Sequence, residues 1–132
     1  MASDDRRLCV FFTAGRTRYL VDALSVLEVS RTVAGETWQK GHLSLKDLSG
    51  LLGGDPEPHP GNALVLDTSP TTAVRVGEVT GVFDTRGDAQ LPLPSRLIPL
   101  MAPAVVRGVV HEGLLGFELD PQAAVRGLPR PT

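Results

Sequence analysis

The side chains best suited to nucleophilic or metal chemistry are Cys9 and three histidines, His42, His59 and His111. A structural or catalytic metal site needs such ligands at short spacings, with partners a few residues away in a turn or on one helix face. None of these histidines has such a spacing to a Cys, Asp or Glu pair. The sequence also lacks a Gly-x-Ser-x-Gly elbow, a phosphate-cradling glycine loop with lysine, and a carboxylate pair framed by an obvious cleft. No cofactor and no metal is implied, and the chain is read as a non-enzyme. A triad assembled from distant positions is the enzyme alternative. Cys9 lies in the apolar run Leu8-Cys9-Val10-Phe11-Phe12, which predicts a buried small hydrophobe. As a single cysteine it cannot form an internal disulfide.

Composition narrows the class further. The chain has 132 residues, 42% hydrophobic and 21% charged, which fits one folded unit with a core of its own. Its 13 basic and 15 acidic residues give a net charge of -2, and the arginines are scattered. With few aromatic rings besides Trp38, this is a poor footprint for nucleic acid. The polar start Met-Ala-Ser-Asp-Asp-Arg-Arg does not resemble a secretory signal. The segment Leu97–Val106 is interrupted by Pro99 and Pro103 and is too short to span a bilayer. The expectation is a cytoplasmic protein with no membrane insertion.

Short strands separated by turns must position whatever the chain binds with. Leu8–Thr13 and Arg18–Val21 flank Ala14-Gly15-Arg16-Thr17, a hairpin pattern. A helical turn near Leu24 leads into a strand ending at Arg31. Gly41–Lys46 reads as a strand, and Asp47–Leu52 as a helical turn stopped by Gly53-Gly54. Prolines 56, 58 and 60 favour an extended linker over 55–62. Between Phe83 and Ser95, residues such as Asp84-Thr85-Arg86-Gly87-Asp88 and Pro92-Leu93-Pro94 read as loop. Glu112-Gly113 between Val105–His111 and Leu114–Leu119 is a strong hairpin signal. Asp120 is placed to cap a short helix, with Pro121 first and Gly127 past its end.

The pattern recurs. Placing Thr13 on Thr68 matches Val10 with Val65, Thr17 with Thr72, Val21 with Val76, Leu24 with Val79 and Leu27 with Val82, without a gap. Two such units are too few for a solenoid and suit two small packed barrels. The predicted core contains Val10, Phe12, Val21, Val65, Val76 and Leu119.

The order strand, turn, strand, then Val26-Leu27-Glu28-Val29, Lys40-Gly41, Asp47-Leu48, Val76-Gly77-Glu78-Val79-Thr80-Gly81-Val82, Arg107-Gly108-Val109 and Leu119-Asp120 resembles the CheW-like chemotaxis coupling proteins over nearly the whole chain. The resemblance implies an all-β fold of two packed SH3-like five-stranded barrels with a few short helices. It implies a single domain over 1–132, with halves 8–54 and 63–128 and a flexible tail over 1–7. It also implies a non-enzymatic adaptor joining a chemoreceptor's cytoplasmic tip to a histidine kinase regulatory domain, in a ring or array.

Carried over residue by residue, the family's Val-x-Glu-Val strand beside the receptor groove matches Val26, Glu28 and Val29. Its Leu-Arg-Gly turn matches Gln39-Lys40-Gly41. The partner-binding residues implied are therefore Val26, Glu28, Lys40 and Gly41. Lys40 stands where the family has arginine; it keeps the charge and loses the planar fork. The stretch from Val29 to Lys40 is shorter than usual, which implies a trimmed first barrel. From the residues alone, Glu28 is an outward-facing member of an alternating strand, Lys40 a solvated turn charge, and Trp38 a cap on a barrel's open end. A module that self-associates through exposed edge strands is the remaining alternative.

Overall fold

The computed structural model describes residues 7–54, 61–92 and 103–126. Most of the tail, residues 55–60 of the linker, the apolar stretch before Pro103, His59 and Gly127 lie outside the described residues. Strands β1 (Leu8–Ala14) and β2 (Thr17–Asp22) lead through a 3-10 turn (Ala23–Ser25) to β3 (Val26–Arg31), β4 (Gln39–Lys40), β5 (Leu43–Asp47) and α1 (Leu48–Leu51). The second half runs β6 (Asn62–Leu66), β7 (Thr72–Val76), β8 (Val79–Asp84), β9 (Ala89–Leu91), β10 (Val105–His111), β11 (Leu114–Leu119) and α2 (Pro121–Arg126). The fold is mainly β, with two SH3-like barrel sheets and short helices, as the sequence implies.

Local chemistry accounts for the boundaries. The Asp22 carboxylate accepts from the Leu24 amide at 2.9 Å, starting the 3-10 turn. Glu112 and Gly113 both take positive φ, 50° and 79°, the mirror-image turn that matches strand twist. Asp120 accepts from the Gln122 amide at 3.1 Å and caps α2 behind Pro121.

The sheets do not divide at the linker. One has the order β8-β1-β2-β11-β10-β9 and the other β3-β6-β7-β5-β4. Each half thus gives its third strand to the first hairpin of the other half: β3 pairs with β6, and β8 with β1. In each sheet a strand from the other half joins that hairpin in parallel, β11 beside β2 and β5 beside β7. The halves 8–54 and 63–128 describe the order of the chain, and the two barrels interleave across it.

The six expected core residues are all buried. Val10, Phe12, Ala14 and Val21 meet Leu64, Leu66, Val74 and Val76 between the sheets, with Leu48, Leu119, Ala124 and Val125 sealing the layer. The alternate residues of the first hairpin, Cys9, Phe11 and Leu20, form a second cluster with Val109 inside the six-stranded sheet. β1 is buried on both faces, so it reads as a continuous apolar run. Cys9 is fully buried, and burial pushes its thiol pKa up.

The repeat holds for strands and for pairs such as Val21 and Val76, both in the shared core, and fails in the register of β6. Val10 belongs to the shared core, whereas its ungapped match Val65 lies outside that cluster and Leu64 and Leu66 lie within it. The connection from β1 to β2 has two residues, Gly15-Arg16, and that from β6 to β7 has five, Asp67 to Thr71. Three extra residues shift β6 by an odd number, and an odd shift exchanges the faces of a strand.

Two local readings are corrected. The region 83–95 contains β9, whose three exposed residues pair with β10 from Gly108 to Val110. Backbone pairing and one side-chain bond, from Arg107 to Gln90 Oε1 at 3.0 Å, join it to β10, so no buried apolar pattern announces it. The strand after Lys40 starts at Leu43, with Gly41 and His42 forming the turn.

Candidate partner-binding surface

β3 and β4 are the two edges of the five-stranded sheet, yet they approach each other as the sheet curls. The ammonium of Lys40 on β4 donates to the carboxylate of Glu28 on β3. The Trp38 indole N–H donates to Ser30 Oγ at 3.2 Å. Side chains therefore link the two edges of this barrel. Trp38 is half-buried over that closure, the capping role expected of it. Gly41 adopts φ 59° in the turn after Lys40, where glycine avoids the Cβ clash of the left-handed region.

The structure thus brings Glu28, Lys40 and Gly41 together. Val26 is set apart from them by a bulge. It pairs with Leu66, Glu28 pairs with Val65, and the register shifts between them. Leu66 and Val65 are neighbours on β6 and face opposite ways. Val26 consequently packs against the shared core, while Glu28 turns to the face of Val65 and Ala63. Glu28 is half-buried where the alternating pattern placed it outward. The bulge at Leu27 and the Lys40 ion pair account for the difference.

The side chains that β3 offers to solvent are Leu27, 57% exposed, and Val29, 46% exposed. Leu24 lies just before them at 87% and Val33 just after at 57%. Four exposed apolar groups thus fall within ten residues of the chain on either side of Glu28, the kind of exposure that accompanies protein contact. Sequence reasoning matched Val29 to the strand beside the groove without naming it a partner contact, and passed over Leu27. The adjacent Val26-Leu27 pair, two apolar residues where strict alternation allows one, was the available signal.

Among the described residues no three His, Cys, Asp or Glu side chains gather in a way that could hold a metal ion. No helix among them is long and apolar enough to cross a membrane.

No protein-family model matches this sequence, and no curated protein does. The fold, by contrast, has a clear counterpart. It is similar to the crystal structure of the scaffolding protein TtCheW from Thermoanaerobacter tengcongensis, with a TM-score of 0.71. The similarity covers 90% of this chain and 92% of that one, at 13% sequence identity. The fold is that of a CheW scaffold.

Proposed function

We propose that this chain is a non-enzymatic scaffold of a chemosensory array, coupling a chemoreceptor-like protein to the regulatory domain of a histidine kinase in the cytoplasm. The observation that carries this reading is the nearly complete mutual coverage with a scaffolding protein, 90% of this chain and 92% of that one. The exposed apolar run on β3 supports it, because a scaffold acts through surfaces that stay free until a partner arrives.

The partner surface comprises Glu28, Lys40 and Gly41 with Leu27 and Val29 alongside, and Val26 supports β3 from the core side. Apolar anchors dominate such contacts, whereas exposed ion pairs contribute about 0–1 kcal/mol. Calorimetry with a receptor cytoplasmic tip and with a kinase regulatory domain from the same cell tests the proposal. Leu27→Asp is expected to weaken receptor binding by about tenfold or more. Lys40→Glu is expected to weaken it less, with an effect that fades at high salt. Absence of binding to either partner by the folded protein overturns the reading.

A further inference from the structure

A cavity of about 80 Å³ opens on the six-stranded sheet, away from β3 and β4, and is lined by Phe11, Arg18, Phe83, His111 and Glu112 among others. Two buried side-chain nitrogens have no hydrogen-bond partner among the described residues, Arg18 Nε and His111 Nε2. Both residues line this cavity. A buried polar atom without a partner is costly enough that native proteins almost always supply one. That both occur in one place points to a bound group.

The histidine is held with care. Its Nδ1–H donates to the Asp88 carboxylate at 2.6 Å, which leaves Nε2 on the cavity side of the ring. The imidazole packs against both Phe11 and Phe83, at centroid distances of 5.2 and 5.1 Å, the two phenyl rings being 5.5 Å from each other. The stem of Arg18 crosses the sheet at Gly116, where a Cβ would meet it. In its charged form His111 donates from both nitrogens, and Arg18 Nε donates in either case.

We propose that this cavity binds a carboxylate, which accepts from Arg18 Nε–H and from His111 Nε2–H while Asp88 holds the opposite nitrogen. Glu112 Oε1 already stands 3.9 Å from His111 Nε2, so a carboxylate is tolerated at that position. With His111 charged, Arg18 and His111 balance Asp88 and Glu112, so every charge the ligand brings is uncompensated and a carboxylate leaves less excess than a dianionic phosphate. The volume admits a group the size of a carboxylate with a short stem and excludes a nucleotide. The site is independent of the scaffold reading, because it shares no residue with the partner surface.

The carboxylate can belong to a small acid or to an acidic side chain of a partner, and both are testable on the full chain. Imidazole nitrogen resonances are followed by NMR while sodium acetate, a capped glutamate amide, or sodium phosphate is added, against sodium chloride at equal ionic strength. Acetate should shift the His111 signals saturably. Arg18→Met, which keeps the stem and removes the donors, should weaken binding about tenfold. Glu112→Gln, in an exposed turn, should strengthen it by removing the competing carboxylate. Acetate binding without capped glutamate identifies a small acid, and binding of both identifies a partner's side chain. A response to acetate no different from chloride overturns the proposal, as does a preference for phosphate.

Discussion

The two barrels share a topology and differ in what fills and closes them. Inside the six-stranded sheet lie Cys9, Phe11, Leu20 and Val109, with Phe83 packed against them. The corresponding face of the five-stranded sheet carries Ala63, Val65 and Ala73. Glu28 and Ser30 join that face from β3, and Asp47 and Arg75 continue it from β5 and β7 at 3.9 Å. The hairpin that extends the larger sheet, β10 and β11, spans seven and six residues, whereas its counterpart strand β4 has two. One barrel is therefore held by an apolar interior and long backbone ladders. The other relies on small residues, charged pairs and a side-chain clasp at Glu28–Lys40, so the trimmed barrel is expected to be the softer one.

The largest effect should come from the layer both barrels share. Leu64 is fully buried between the sheets, and Leu64→Ala is expected to cost about 2–5 kcal/mol. Because each half lends its third strand to the other, loss should be felt in both sheets at once. Urea titrations followed by circular dichroism and by Trp38 fluorescence should coincide. Separate transitions would show that the barrels are independent units and that the interleaving does not couple them.

Truncations inside each barrel sharpen the contrast. Leu20→Ala should cost about 2–5 kcal/mol, and Val65→Ala, in the sparser interior, at most about 1.5–3 kcal/mol. Equal costs by chemical denaturation would mean that the five-stranded sheet has packing as tight as its neighbour's.

The clasp itself should matter locally. Glu28 and Lys40 side chains are 40% and 58% exposed, a setting in which ion pairs contribute about 0–1 kcal/mol. Glu28→Gln should leave global stability nearly unchanged and speed amide hydrogen exchange in β4 and β5, with a smaller difference at high salt. Unchanged exchange there would remove the clasp from the account of closure.

How far the sequence carried the structure follows from what each kind of residue reports. Hairpins announced by Gly15 and by Glu112-Gly113 were legible, because turn geometry demands particular residues. The core was legible on strands buried from both sides, such as β1. Strand exchange was not legible, since β3 and β8 look the same whichever hairpin they join. The register of the repeat was obscured by three added residues between Asp67 and Thr71, which invert faces without disturbing the apolar pattern of β6. The same limit hid the separation of Val26 from Glu28. A bulge at one residue breaks the period of two on which their common face depended. Lys40 and Glu28 fell close together as the family resemblance implied, although neither residue type nor spacing required it.

The smallest expected effect concerns Cys9, and it reports on the firmer barrel. Burial is the main cause that raises its thiol pKa above the ordinary value of 9.0, and the contact with Thr85 Oγ1 at 3.7 Å opposes it only in part. A raised folded pKa means that the folded state holds the proton more tightly than the unfolded chain. The resulting stability is fully present below the unfolded value and is lost as pH rises through the folded one. Thermal denaturation should accordingly show a slight decline in stability above about pH 9, and Cys9→Ala should flatten that decline at the cost of a small cavity. The buried thiol also dates openings of the six-stranded sheet, since alkylation requires an exposed thiolate. Labelling of Cys9 at about pH 8 should be slow, and should lag far behind amide exchange in β4. If Cys9 reacts as fast as a free thiol while the protein is folded, the six-stranded sheet opens as readily as the trimmed one. The difference in rigidity between the two barrels would then be lost.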